Sequence, residues 1–230
     1  MHPTQILDLY AWLYSDLPTP PGTWDLTILT DGAPNGLKVE PDGTVGAYIH
    51  GSEDISDWEH DFRQVAAPVD HSLLGLIHPG FLAGALLIKA EIDAFAGDRP
   101  IAYRGHSYGA GRCSILAGLR IMEEKPVANV ILFGEPRAGG PQLSRICDNV
   151  LVESYRNAEP NGGPMDHDLV TDVPFNLGPD APYQPLRGPL IDVYHQPRAD
   201  DPWAFFRWHH LGHYCRAFGC GGVAALSLPT

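Results

Sequence analysis

Apolar and polar positions alternate differently in the two halves of this chain. Over Thr4–Tyr14, Ile6, Leu9, Tyr10 and Leu13 recur at spacings of three and four, which puts them on one side of a predicted helix. Pro18, Pro20 and Pro21 then stop it, because proline cannot continue the hydrogen-bond ladder. Leu37–Glu40 and Thr44–His50 flank Pro41-Asp42-Gly43, which predicts a hairpin closed by a tight turn. After Phe81 an apolar pattern of helix length runs to about Phe95.

From there, short apolar runs alternate with helical patterns. Ile101–Arg104 predicts a short strand. Gly109–Met122 predicts a helix whose small residues (Gly109, Ala110, Ala117 and Gly118) permit close packing. Val127–Phe133 is a nearly continuous apolar run of strand length, Val150–Tyr155 predicts another strand, and Asp192–His195 is a shorter candidate. Strands apolar on both faces and interleaved with helices belong to a mostly parallel central sheet flanked by helices. The early hairpin adds antiparallel strands at the N-terminal edge. The expected class is therefore α/β. No repeat, low-complexity tract or composition break marks a linker, so residues 1–230 read as a single domain.

Composition narrows the partners. There are 28 Asp and Glu against 15 Lys and Arg, a net charge of −13, which argues against a surface that binds nucleic acid or anionic lipid. A chain 44% hydrophobic and 19% charged is not disordered. Its 25 glycines and 22 prolines imply many turns and loops, where sites usually lie. The longest apolar stretches, Gly80–Ile88 and Val127–Phe133, fall short of the roughly 18–20 residues of a membrane span, so no stable membrane insertion is expected. The N-terminus carries no basic segment, long apolar run or small-residue cleavage site. The expectation is a cytoplasmic protein or a mature secreted form. Cys113, Cys147, Cys215 and Cys220 are too sparse for a disulfide scaffold and read as free thiols, although Cys215 and Cys220 are close enough in sequence to pair.

One segment carries chemistry. Gly105-His106-Ser107-Tyr108-Gly109 is a G-x-S-x-G pattern, which composition alone yields about 0.1 times in a chain with nine serines. Its position between a predicted strand and a predicted helix is the context such a motif requires. A serine on a sharp strand-to-helix turn exposes its hydroxyl, and the flanking glycines avoid clashes with the neighbouring backbone. Serine is a weak nucleophile and needs a base oriented by an acid, in the chain order Ser, Asp or Glu, His. The downstream acids are Asp166, Asp168 and Asp172. The downstream histidines are His195, His209, His210 and His213, and spacing alone does not choose among them. A rival reading uses the C-terminal cluster as a zinc-binding site. His209 and His213 at i, i+4 would share a helix face with Cys215 nearby, although Gly212 weakens that helix and no H-E-x-x-H motif is present.

Six segments together resemble the class 3 lipase family, the fungal-type lipases and feruloyl esterases of the α/β-hydrolase fold. His50-Gly51-Ser52 with Trp58 and Asp61 resembles the family's Arg-Gly-Thr/Ser segment and its following Trp and Asp. His78-Pro79-Gly80-Phe81 resembles its His-x-Gly-Phe segment, and Gly105–Gly109 its Gly-His-Ser-Leu-Gly turn. Phe133–Gly139 resembles Phe-Gly-x-Pro-Arg-Val-Gly. Asp168-Leu169-Val170 with Pro174 resembles its Asp-x-Val segment, and His209 with Tyr214 its terminal His and Tyr. The resemblance implies Ser107 as nucleophile, Asp168 as acid and His209 as base, with His210 the main rival. It also implies an oxyanion hole from Ser52 and the backbone N–H of Tyr108, and no cofactor or metal. His50, Arg104 and Tyr108 depart from the family's usual Arg, Thr and Leu. Arg104 then needs an acid partner, for which Glu135 is the candidate, and Tyr108 is expected to pack with a polar tip.

In the family a lid follows the Ser52 position. Here Glu53–Asp61 holds five acids and only Ile55 and Trp58 as large apolar residues. Such a segment buries little area at an oil surface, where apolar contact is worth about 25 cal/mol per Å². The expected activity is a serine carboxylic-ester hydrolase acting on soluble, short-to-medium acyl esters, with an interfacially active triacylglycerol lipase as the alternative.

Overall fold

A computed structural model of the chain describes residues 1–15, 18–30, 33–51, 68–163, 166–173, 183–186, 188–194 and 209–220. Strands β1 (Leu26–Thr30), β2 (Ala33–Val39), β3 (Val45–Ile49), β6 (Ile101–His106), β7 (Val127–Phe133), β8 (Leu151–Asn157) and β9 (Leu190–Val193) lie side by side in that order. The β1–β2 and β2–β3 pairs are antiparallel, and every pair from β3 to β9 is parallel. β4 (Val69–His71) and β5 (Gly75–Ile77) form a separate small hairpin.

Strand periodicity assigns the two faces. Ala47 and Ile49 of β3, with Val130 and Leu132 of β7, enter one apolar core. Tyr48, Ile131 and Phe133 point the other way into a second. The first core is covered by α2 (Pro79–Ala96) and α3 (Tyr108–Met122), together with Leu143 of the short α4 (Pro141–Ile146). The second is covered by α1 (Pro3–Leu13) and α5 (Leu211–Ala217). Helices on both faces explain why Val127–Phe133 reads as a nearly continuous apolar run.

The expected mostly parallel sheet with an antiparallel N-terminal edge is present. The predicted hairpin is the β2–β3 pair, with Val39 opposite Val45 and Gly43 at φ 86° in the turn. The sequence pattern does not predict β1, because Leu29 faces solvent beside the buried Ile28 and breaks the apolar alternation of Leu26–Thr30. Pro34 lies in β2 opposite Leu29, before the stretch of β2 that pairs with β3, where its missing N–H breaks no central ladder bond. The β4–β5 strands are three residues each, too short for periodicity to register.

Candidate active site

β6 ends at His106 and α3 begins at Tyr108, so Ser107 alone turns the chain. It does so at φ 61°, a left-handed backbone that non-glycine residues rarely adopt. The two glycines of the motif let the helix sit directly on the sheet. A Cβ on Gly105 would lie 2.4 Å from Ala110 Cα, and one on Gly109 would lie 2.0 Å from the Ile49 carbonyl oxygen. The Ser107 N–H donates to the Phe133 carbonyl at 3.0 Å, which ties the turn to the end of β7.

Asp168 follows β8 and caps a single 3₁₀ turn, Leu169–Asp172, by accepting from the Val170 N–H at 3.0 Å. Its other oxygen accepts from the Tyr214 hydroxyl at 2.5 Å and lies 2.7 Å from His209 Nδ1. The carboxyl is fully buried. Burial acts to raise its pKa. The electrostatic pull and ring N–H of the neighbouring His209, the Tyr214 hydroxyl and the Val170 N–H outweigh burial and hold it below the ordinary aspartate value.

His209 lies just before α5. Its ring stacks on His106 at 4.9 Å, and its carbonyl accepts from His106 Nε2 at 2.9 Å. Gly134, at φ 58°, makes room for the pair: a Cβ there would lie 2.7 Å from Asp168 Oδ2 and from two atoms of the His209 ring. Asp168 and His209 are thus in direct contact. Ser107 joins them through Phe133–Gly134 on one side and His106 on the other. All three sit beyond the carboxyl ends of β6–β8, where open α/β sheets place their sites.

The alternatives are used elsewhere. Asp166 accepts from the Gly163 N–H at 2.8 Å. Asp172 pairs with Arg137 at 2.8 Å and His167 at 2.7 Å. His210 precedes α5 as its N-cap residue, with its ring 6.2 Å from that of His213. His195, Ser52 and the acidic stretch Glu53–Asp61 lie outside the described residues. Gly51, the residue before Ser52, packs on the nucleophile turn: a Cβ on it would lie 2.8 Å from Ser107 Cβ. Tyr108 is the first residue of α3, so its N–H precedes the intrahelical ladder. Its side chain packs as expected, with the ring on Phe81 and the hydroxyl donating to the Gly80 carbonyl at 2.8 Å.

Two expectations are corrected. Arg104 does not pair with Glu135; it lies 3.9 Å from Glu40 Oε1 and donates to the Asn129 side chain. Glu135 instead accepts from Ser114, Ser154 and the Leu186 N–H. The His209/His213/Cys215 zinc reading also loses its geometric basis. α5 starts at Leu211, which leaves His209 outside the helix that was to align it with His213. Among the described residues no three His, Cys, Asp or Glu side chains converge as metal ligands would.

Tyr14 is a site neighbour that the sequence pattern assigned only to a helix end. Its hydroxyl contacts His106 Nδ1 at 3.0 Å and accepts from the Gly51 N–H at 2.9 Å. Gly134 was noted only as part of a family segment, and its packing role is visible only in three dimensions.

Comparison with known proteins gives one answer. No curated protein sequence matches the chain. Among solved structures, Rhizomucor miehei triacylglyceride lipase aligns with a TM-score of 0.63 at 18% identity, covering 84% of this chain and 78% of that one. Yarrowia lipolytica Lip2 lipase aligns with a TM-score of 0.57 at 18% identity, covering 87% and 80%. A triacylglycerol lipase whose catalytic centre is a serine protease triad aligns with a TM-score of 0.60 at 19% identity, covering 84% and 78%. At these identities the likeness is one of fold. The family model for class 3 lipases matches residues 47–177, more than half of the chain and inclusive of both Ser107 and Asp168. This chain therefore belongs to the class 3 lipase family and is an ester-hydrolysing serine hydrolase of the α/β-hydrolase fold.

Proposed function

We propose that the chain hydrolyses soluble carboxylic esters of short to medium acyl length, with Ser107, His209 and Asp168 as its catalytic triad. The observation that carries the residue assignment is the 2.7 Å contact of His209 Nδ1 with the buried Asp168 carboxylate, together with Ser107 at φ 61° on the strand-to-helix turn. The serine protease triad named for one structural neighbour supports the same assignment.

Asp168 holds the imidazole with its proton on Nδ1, which leaves Nε2 as the base. His209 takes the Ser107 hydroxyl proton as Oγ attacks the ester carbonyl carbon. The N–H groups of Ser52 and Tyr108 bind the resulting oxyanion, each worth a few kcal/mol of barrier. Collapse breaks the bond to the alcohol, which leaves with the proton from His209. Water then gives a proton to His209 and attacks the acyl carbon, releasing the acid and restoring Ser107.

The substrate range rests on the sequence of Glu53–Asp61, whose five acids disfavour docking on fat or on anionic membrane. Hydrolysis of a chain-length series of chromogenic esters tests both parts. The expected result is a kcat/KM maximum among soluble esters and a loss of about a thousandfold or more in Ser107→Ala. A sharp rise on long-chain emulsions above the solubility limit overturns the substrate range. Full activity in Ser107→Ala overturns the nucleophile.

A further inference from the structure

A directional hydrogen-bond chain runs beneath the proposed triad. The His209 carbonyl can only accept, so the 2.9 Å contact requires His106 to carry its proton on Nε2. Nδ1 of His106 is then an acceptor, and the Tyr14 hydroxyl, 3.0 Å away, must be its donor. The oxygen of that hydroxyl in turn accepts from the Gly51 N–H at 2.9 Å. Burial, reinforced by the neighbouring His209 ring, pushes the His106 pKa down to about 3, which keeps the ring neutral as this pattern demands.

The two ends of the chain are the places where the reaction needs precision. One end is the backbone of His209, whose ring also stacks on His106 at 4.9 Å. The other is Gly51, which packs on Ser107 and directly precedes Ser52 in sequence. The Tyr14 ring is itself fixed, stacked on His50 at 3.9 Å and 21°. Tyr14 stands just past the end of α1, whose Tyr10 donates to the Ile49 carbonyl at 3.0 Å.

We propose that Tyr14 is a positioning residue for ester hydrolysis, its hydroxyl acting through His106 to hold the His209 and Gly51 backbones in register around Ser107. The proposal rests on the triad reading. In this role Tyr14 acts through the His106 ring and the Gly51 N–H. Its hydroxyl spans the segment that supplies the base and the segment leading to the proposed oxyanion donor. Small errors in such registers cost rate rather than ground-state binding.

The test compares Tyr14→Phe, His106→Gln and the double variant on one soluble chromogenic ester, with melting temperature as the structural control. Phenylalanine keeps the stack on His50 and removes only the hydroxyl. Glutamine keeps a donor for the His209 carbonyl and loses the ring acceptor. The expected result for Tyr14→Phe is a fall of about tenfold in kcat with KM within about twofold, the factor a single buried hydrogen bond supports. The double variant is expected to be no slower than the slower single, because both break the same chain. Unchanged kcat in Tyr14→Phe overturns the proposal. Losses that multiply in the double variant also overturn it, since they show independent roles. If His106→Gln does not fold, the kcat and KM of Tyr14→Phe still decide. Ser107→Ala, run alongside, separates this failure from failure of the triad reading, which would leave Ser107→Ala active.

Discussion

At the scale of single residues, the tightest constraint near the site is on Gly134. It combines φ 58° with a Cβ position 2.7 Å from both Asp168 Oδ2 and the His209 ring. Gly134→Ala is expected to cost about 1–2 kcal/mol of stability from the backbone alone. It also pushes the imidazole off its carboxylate, so hydrolysis falls by far more than the stability loss explains. Comparing kcat with the unfolding midpoint in urea checks this. Equal proportional losses in both would remove the special role given to the glycine. Asp168 could be singled out from Asp166 and Asp172 through the family's Asp-x-Val spacing. Two of its hydrogen-bonding neighbours, His209 and Tyr214, come from chain positions too far away for spacing to reveal, whereas Val170 is two residues on. Tyr14 was legible only as the polar end of an amphipathic helix. What makes it a neighbour of Gly51 and His106 is the packing of α1 across β3 and β6, a tertiary fact with no local signature.

At the scale of elements, the sheet centre was readable because both faces are covered. Val127–Phe133 is apolar apart from Asn129 for that reason, and its predicted and observed bounds coincide. The edge was less readable. β1 leaves Leu29 73% exposed, so it lacks a clean alternation. The contact between α3 and β3 turns on Gly109, whose added methyl would meet the Ile49 carbonyl at 2.0 Å. Gly109→Ala is expected to lift the first turn of α3 from the sheet, costing about 1–3 kcal/mol as overpacking does. Because that turn carries Ser107 and the Tyr108 N–H, inactivation by a covalent serine-directed phosphonate should slow in parallel. A normal inactivation rate in a destabilised Gly109→Ala would separate the elbow's geometry from the helix's seat.

At the scale of the whole molecule, the net charge is −13, and among the described residues the carboxyls of Glu40, Glu135 and Asp168 are buried. Glu135 is buried and accepts from Ser114 at 3.0 Å, from Ser154 and from the Leu186 N–H at 3.3 Å. Burial pushes its pKa up to about 7 from an ordinary 4.5, against those hydrogen bonds. The folded state therefore binds this proton more tightly than the unfolded chain does. Its contribution is complete below pH 4.5 and is lost as pH rises to about 7, amounting to about 3 kcal/mol. Glu135→Gln should remove that slope, so its stability relative to the native protein should improve between pH 5 and pH 8. Parallel stability–pH curves for the two proteins would place the proton elsewhere.

The two helices that close the second face come from opposite ends of the described chain. α1 and α5 share one apolar cluster, and the Thr4 hydroxyl donates to the Phe218 carbonyl at 3.3 Å across 214 positions. During synthesis the first helix leaves the ribosome with no partner for this face, and its partner is among the last of these residues to follow. The His209–Asp168 contact waits for the same moment. A nascent chain stalled before residue 209 lacks the proposed base. With His209 as the proposed base, catalytic competence is expected to arrive in one step with the 209–217 segment, and a molecule clipped ahead of His209 is expected to stay inert however well the rest of it folds.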